Sequence, residues 1–302
     1  MSKHIHLHID DGLANLTFDR EGSSANIFDH DCLEELNQHL DTIAQDSSVT
    51  GLVLLSAKEK IFIAGADISQ FIKISDPQEV RELSKYGQDT FARITDFPFP
   101  SVAAIHGQAL GGGCEISLAC DYRIASPDRV TKIGLPEINL GILPAWGGCY
   151  HLPRLIGLPK ALDIILAGKT VPAYPAWKRG MIDQLCPREH FLRIAQTRIA
   201  KGKAQRNADW KTSNLLARTV INAKVRPMML KKTRGHYPAP FEALKVCLRA
   251  TTASRSEAFG YEQAALARLM QTSVCQNLVC TFFMQERAKK ISLSETAGTP
   301  ID

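Results

Sequence analysis

Short apolar runs alternate with amphipathic helical stretches up to about residue 195 of this 302-residue chain, and there the alternation stops. Strands alternating with helices build layered α/β structure, so this ordering narrows the fold more than any other feature. His4 to Ile9 alternates, meets Asp10-Asp11-Gly12, and Leu13 to Phe18 alternates again, which predicts a β-hairpin. Leu33, Leu36, Leu40 and Ile43 fall on one helical stripe. Gly51 to Ser56 and Ser101 to His106 are short apolar runs suited to buried strands. Between them Asp76-Pro77-Gln78-Glu79 marks a helix start, with Asp as N-cap and Pro in the first turn. Pro98 and Pro100 stop that helix near Phe97, and Tyr122 to Ala125 and Val130 to Ile133 read as strands around a Ser126-Pro127-Asp128 turn. No Gly-x-Gly-x-x-Gly follows a strand, which excludes a Rossmann dinucleotide site.

From about Phe191 onward strand signals disappear. Residues 209–223 and 240–290 read as helices broken by Tyr237-Pro238-Ala239-Pro240, and Ser292 to Asp302 reads as a loose tail. The expected organisation is an α/β core over 1–195, a helical region with a linker-like helix over 196–290, and a tail over 291–302.

Hydrophobic residues at 45% and charged residues at 22% fit a globular chain with a substantial core and exclude global disorder. The net charge of +5, from 36 basic and 31 acidic residues, suits an anionic ligand such as a nucleotide but is too small to imply nucleic acid. None of the eight cysteines forms a CxxC pair or zinc spacing, and the chain opens on polar, His-rich sequence. They read as reduced thiols, and the expected location is cytoplasmic. No apolar run reaches membrane-spanning length. His4, His6 and His8 share a strand face, read as exposed surface ahead of a metal site. Lys231, Lys232 and Arg234 read as a solvated helix face or subunit contact ahead of a nucleic-acid patch.

Three segments carry candidate chemistry: Ile63 to Ile68; Ser101 through Gly111-Gly112-Gly113-Cys114-Glu115 to Asp121; and Gly134 to Gly148. Successive glycines between a strand and a helix mark backbone that must be approached closely. A helix starting there presents unpaired N–H groups and a positive dipole end, suited to an anion or to a carbonyl becoming an oxyanion. Ala64-Gly65-Ala66 can bring a second N–H to the same atom. Glu115 lies in the first turn behind the glycines, and Glu137 follows a proline in an apolar stretch where a lone carboxylate is costly. Two carboxylates converging on one water are what adding water across a double bond requires: one accepts a proton and the other supplies one. The plainer alternatives are a tight packing turn, a helix-capping Glu115 and a surface Glu137. Cys114 has no histidine placed to activate it and reads as a packing residue.

In this order the three segments resemble the crotonase (enoyl-CoA hydratase/isomerase) superfamily. The resemblance implies a spiral of ββα turns with a helical C-terminal region, and a trimer-type homo-oligomer. It implies an oxyanion hole at the N–H groups of Ala66 and Gly112 and a catalytic pair at Glu115 and Glu137. It also implies an acyl-CoA thioester substrate, with coenzyme A entering only as part of the substrate and no tightly bound cofactor or metal. Asn26, Ile27, Ala64, Gly65, Asp67 and Ile68 would line the pantetheine and adenine groove, with Gly111, Pro136 and Ala145 also at the substrate. Gly235 to Pro240, the Glu257 to Ala265 helix, Phe282-Phe283 and Glu286 to Lys290 resemble the region after the hydratase part of multifunctional β-oxidation α-subunits. The chain would then be a subunit of such a complex, ending near where a dehydrogenase would begin, either with that part removed or as a natural stand-alone version. Phe282 and Phe283 would be buried anchors of a pocket-closing linker helix. Ala145 stands where glycine is usual, and Glu286 where a lysine near the CoA phosphate is expected, leaving Arg287, Lys289 or Lys290 to serve. The activity implied is hydration of 2-trans-enoyl-CoA in fatty-acid β-oxidation. Enoyl-CoA isomerisation and a non-catalytic scaffold binding RNA or a partner are the alternatives.

Overall fold

The computed structural model describes residues 4–71, 74–204 and 213–296. β1 (Ile5–Asp10) and β2 (Leu13–Phe18) form the anticipated antiparallel hairpin, Ile5 opposite Phe18. Its two-residue turn works because Asp11 and Gly12 both take positive φ, 46° and 73°, matching the twist of the strands. α1 (His30–Gln45) follows, capped by the Asp29 side chain on Cys32 N and buried along Leu33, Leu36, Leu40 and Ile43.

Three similar units come next: β3 (Gly51–Ser56), β4 (Ile61–Ile63), α2 (Ile68–Phe71) and α3 (Pro77–Asp96); β5 (Ser101–Ile105), β6 (Gln108–Leu110) and α4 (Gly112–Ala119); β7 (Tyr122–Ala125), β8 (Lys132–Gly134) and a 3-10 turn, Pro136–Leu140. The chain continues through α5 (Gly148–Ile156), α6 (Leu158–Ile165), β9 (Thr170–Pro172), α7 (Ala173–Arg179), β10 (Gln184–Leu185) and α8 (Phe191–Ile199). Among the described residues four more helices follow: α9 (Leu215–Thr233), α10 (Pro238–Ala250), α11 (Arg255–Met270) and α12 (Ser273–Thr296). In every unit the first strand joins a six-stranded sheet, β1-β2-β3-β5-β7-β10, and the second joins a four-stranded sheet, β4-β6-β8-β9. All neighbours are parallel except β1–β2 and β8–β9. This is a spiral of ββα turns. The His106-Gly107 step switches β5 into β6, and Gly107 must be glycine: its φ is 82° and a Cβ would fall 2.3 Å from the Lys60 carbonyl carbon.

Some boundaries differ from expectation. β8 starts at Lys132, because Arg129 and Val130 sit in a turn closed by Thr131 N–H on Asp128 O (2.9 Å). The 240–290 stretch is three helices: Ser254 opens α11 with a capping box to Glu257, and α12 starts anew at Ser273. Pro238 begins α10 instead of breaking it, since a proline costs nothing in a first turn. α12 runs on to Thr296, into the segment read as tail. Residues 209–212 of the expected helix and 297–302 of the tail lie outside the described residues.

α10 and α11 share one apolar core with the sheets: Ala243, Leu244, Cys247, Ala265 and Leu269 belong to the cluster holding Leu54, Phe62, Ile105 and Ile116. Arg123, on β7, is fully buried inside the fold. It ion-pairs with Asp183 and donates to Met181 O (2.9 Å), Cys120 O (3.1 Å) and Ser117 O (3.5 Å), so its charge is met where α4 ends.

Candidate active site

The three glycines at the step from β6 into α4 are small for three different reasons. Gly111 has φ 53°, a left-handed conformation, and a Cβ there would come 3.2 Å from Glu137 Oε1. Gly112 leaves space for an indole: a Cβ would sit 2.8 Å from Trp146 Cζ3. Gly113 packs α4 on β4, with Ile63 O 2.1 Å from where its Cβ would be. On the adjacent crossover Gly65, φ 115°, faces Leu110 O and Gly112 N, 3.1 and 3.6 Å from the position of a Cβ. The two small-residue turns therefore touch. Gly112 N–H heads a helix and has no intrahelical acceptor. Ala66 bridges Phe28 in parallel fashion, through Phe28 N–H to Gly65 O (2.9 Å) and Asp67 N–H to Phe28 O (2.8 Å). That pattern leaves Ala66's own N–H directed to the other side.

Glu115 and Glu137 come together at this junction but are held very differently. Glu115 is 3% exposed and its Oε1 accepts two backbone N–H groups, from Trp146 (2.8 Å) and Gly148 (2.9 Å). Burial pushes its carboxyl up to about 7, against the downward pull of those two donors. Glu137 is half-buried as a residue, yet both carboxyl oxygens are shut off from solvent and find no partner beyond the weak pull of its own backbone N–H. Burial first, then the Glu115 charge, holds it well above the ordinary carboxylate range. Both carboxyls are thus raised, and Glu115 alone has backbone donors that offset its burial. Cys114 is fully buried with its thiol pushed well up, which removes it as a nucleophile.

A cavity of about 680 Å³ opens over the junction. Ala64, Gly65, Ala66, Ile68, Gly111, Gly112, Glu115, Pro136, Glu137 and Ala145 line it. Asn26, Ile27 and Asp67 do not. Asn26 is buried in the scaffold, its Nδ2 donating to Phe18 O, Ser56 Oγ and Phe62 O while Arg20 N–H donates to its Oδ1. Asp67 accepts the Ser69 N–H (2.9 Å), and Ile27 is half-buried beside it in sequence to Asn26. The far wall comes from α11 and α12, through Leu266, Met270, Cys275, Val279, Phe283, Met284 and Arg287. Cys275 and Val279 are the buried anchors of α12, and Gly141 fits against Cys275, whose Cα is 2.8 Å from where a Cβ would stand. Phe282 and Phe283 are only half-buried, stacked edge to face at 5.5 Å. Arg287 reaches the cavity, and the side chains of Lys289 and Lys290 lie outside the described residues.

Sequence reasoning missed what supports Glu115. Trp146 stands in a slot between Gly87 and Gly112, edge to face with Phe28 (5.9 Å) and Phe91 (5.4 Å). Ser84 Oγ on α3 donates to Ala145 O (2.8 Å). A third buried carboxylate, Glu262 of α11, accepts Gly147 N–H (2.8 Å) and Tyr150 N–H (3.1 Å). The available signal was a lone glutamate in the apolar stripe Ala258, Phe259, Ala265, Leu266, Leu269. Among the described residues, no three His, Cys, Asp or Glu side chains gather as a metal site and no helix is long and apolar enough to cross a membrane.

The family model described as enoyl-CoA hydratase/isomerase matches residues 8–224. The chain belongs to the enoyl-CoA hydratase/isomerase family. Its curated relatives include the fatty acid oxidation complex subunit alpha of Aliivibrio fischeri, 40% identical over 298 residues, covering 97% of this chain and 43% of the relative. The protein of the same name from Shewanella amazonensis is 36% identical over 288 residues, covering 93% of this chain and 41% of the relative. The chain spans less than half the length of these relatives. Among solved structures, an enoyl-CoA hydratase from Bacillus anthracis aligns with TM-score 0.60 at 25% identity, covering 99% of this chain and 98% of that one. DspI from Pseudomonas aeruginosa aligns with TM-score 0.60 at 30% identity over 78% of this chain and 90% of its own. The crotonase resemblance and the helical C-terminal region read from the sequence agree with these matches.

Proposed function

We propose that this chain is an enoyl-CoA hydratase that adds water to the double bond of a 2-trans-enoyl-CoA, in fatty-acid oxidation. The observation that carries this reading is the unequal buried pair, Glu115 gripped on one oxygen and Glu137 unpartnered, its carboxyl pushed well above the ordinary range by burial and the Glu115 charge. A thioester oxygen at the touching turns would meet the N–H groups of Ala66 and Gly112, each such donor worth roughly 3–4 kcal/mol of barrier. Glu115 takes a proton from water through its free Oε2, and the water oxygen bonds to C3. The electron pair of the double bond moves toward the thioester oxygen, and Glu137 returns a proton to C2 as the enolate collapses. Proton exchange with solvent then restores the pair. The acyl chain fits the apolar wall of Leu266, Met270 and Phe283, with coenzyme A held only as part of the substrate. The names of the two relatives support placement in fatty-acid oxidation.

Hydration is favoured over double-bond isomerisation because an isomerase needs one proton shuttle and no second carboxylate to activate water. The test is loss of crotonoyl-CoA absorbance run against a 3-enoyl-CoA isomerisation assay. Glu137→Gln should lower hydration by roughly 10²–10⁴-fold with KM little changed. Isomerisation without hydration, or a Glu137→Gln protein with normal hydration, would overturn the assignment.

A further inference from the structure

The loop that enters α5 is gripped from two sides. Trp146 N–H and Gly148 N–H donate to Glu115 Oε1, at 2.8 and 2.9 Å. The alternate donors go the other way: Gly147 N–H to Glu262 Oε2 at 2.8 Å and Tyr150 N–H to Glu262 Oε1 at 3.1 Å. Gln88 Nε2 of α3 donates to the same Oε2 at 2.9 Å. Glu262 has no exposed surface and lies outside the cavity lining, so it touches neither water nor substrate there. The groups facing it, the N–H groups of Gly147, Cys149 and Tyr150 and the amide of Gln88, all donate to its carboxyl, and an amide side chain would turn N–H against N–H at one of them. A carboxylate this deep is costly to bury, and an apolar residue would fill the stripe of α11 at less cost. Its place at the N-terminus of α5, where backbone N–H groups lack helical acceptors, gives it a specific use.

We infer that Glu262 is a positioning residue for the enoyl-CoA reaction: by holding Gly147 and Tyr150 it fixes the Trp146 and Gly148 N–H groups that aim Glu115. The inference rests on the reading of Glu115 as the reacting base. It makes α11, beyond the part matched by the family model, a working component of the site. Glu262 acts only through the loop, so its loss should matter only while Glu115 can react.

The experiment is a double-mutant cycle on the full chain, with Glu262→Gln and Glu262→Asp each made alone and in a Glu115→Gln background. Alone, Glu262→Gln should lower kcat for crotonoyl-CoA hydration roughly 10–100-fold, the range typical when the group orienting a reacting ligand is lost. KM should stay within about two-fold. In the Glu115→Gln background the same change should alter residual turnover by less than about two-fold, because coupled residues are not additive. Amide exchange across residues 144–150 should speed up in Glu262→Gln and stay as in wild type across β1 and β2. Should Glu262→Gln fail to fold, Glu262→Asp keeps the carboxyl group, retracts it by one methylene and serves for the same comparisons. Equal losses in both backgrounds, an unchanged kcat with only a lowered Tm, or unchanged exchange at 144–150 would each overturn the inference. A wild-type protein with no hydration would reject the hydratase assignment alone, and the exchange measurement would still decide the role of Glu262.

Discussion

Replacing Glu115 by Gln separates the charge of this side chain from its shape. Both N–H groups that hold it fall on Oε1, so an amide oxygen can accept them at unchanged positions. Turnover should drop by roughly 10²–10⁴-fold, about 3–5 kcal/mol of barrier, since the base is gone. Stability should move the other way. Burial raises this carboxyl from 4.5 to about 7, so the folded protein holds the proton more tightly than the unfolded chain does. For a raised carboxyl the cost is absent below the unfolded value, grows as pH climbs through the interval and is complete above about 7. At about 1.4 kcal/mol per pH unit the interval amounts to about 3 kcal/mol. Glu115→Gln should therefore melt about 6 °C higher than wild type at pH 8, taking about 2 °C per kcal/mol for a chain of this size. At pH 5 the gain should shrink severalfold. Thermal melts of both proteins at the two pH values, beside crotonoyl-CoA hydration, provide the check. A Tm difference that is absent at pH 8, or as large at pH 5, would refute the reasoning, as would near-normal turnover in Glu115→Gln.

Hydration measured as kcat/KM should rise as pH climbs through about 7, where Glu115 ionises, and hold until Glu137 surrenders its proton; a flat profile from pH 5 to 8 contradicts that order. Gly111→Ala forces a left-handed Cβ to 3.2 Å from Glu137 Oε1, so stability should fall by about 1–2 kcal/mol and turnover by up to about 100-fold, measured by melts and kinetics. Truncation before Thr281 removes Phe283, Met284 and Arg287 from the cavity wall but keeps Cys275 and Val279, so KM for a long-chain enoyl-CoA should rise more than kcat falls. An unchanged KM with an altered gel-filtration mass would instead make this part of α12 a subunit contact.

The glycine run was legible because its meaning is local: glycines at a strand-to-helix step imply close approach whatever lies around them, whereas the pairing of Glu115 with Glu137 was implied only by the family resemblance, since their spacing left a helix cap and a surface residue open. The hairpin and α1 were legible for the same reason, through Asp11-Gly12 and the Leu33, Leu36, Leu40, Ile43 stripe. The strands of the second sheet were harder. β6 is three residues long, too short for a period to show, and its separation from β5 depends on Gly107 meeting Lys60, a contact no local pattern displays. Asn26 was assigned to the ligand groove by resemblance, whereas its amide is spent on Phe18, Ser56 and Phe62 inside the scaffold. Glu262 lies 115 positions from the Gly147 it holds, and only a folded chain shows what a glutamate in an apolar stripe is facing.

Arg123 has a mechanical consequence for the site. Its guanidinium donates to Ser117 O and Cys120 O at the closing turn of α4, while the opening turn of the same helix supplies Gly112 and Glu115. Eight residues make a rod about 12 Å long, too short to bend or to dissipate an error along its length. A guanidinium displaced at one end tilts the Gly112 N–H at the other by a comparable amount. Asp183 and Met181, which seat that guanidinium from beyond the helix, thus help fix the α4 turn that presents Gly112 and Glu115 to the cavity.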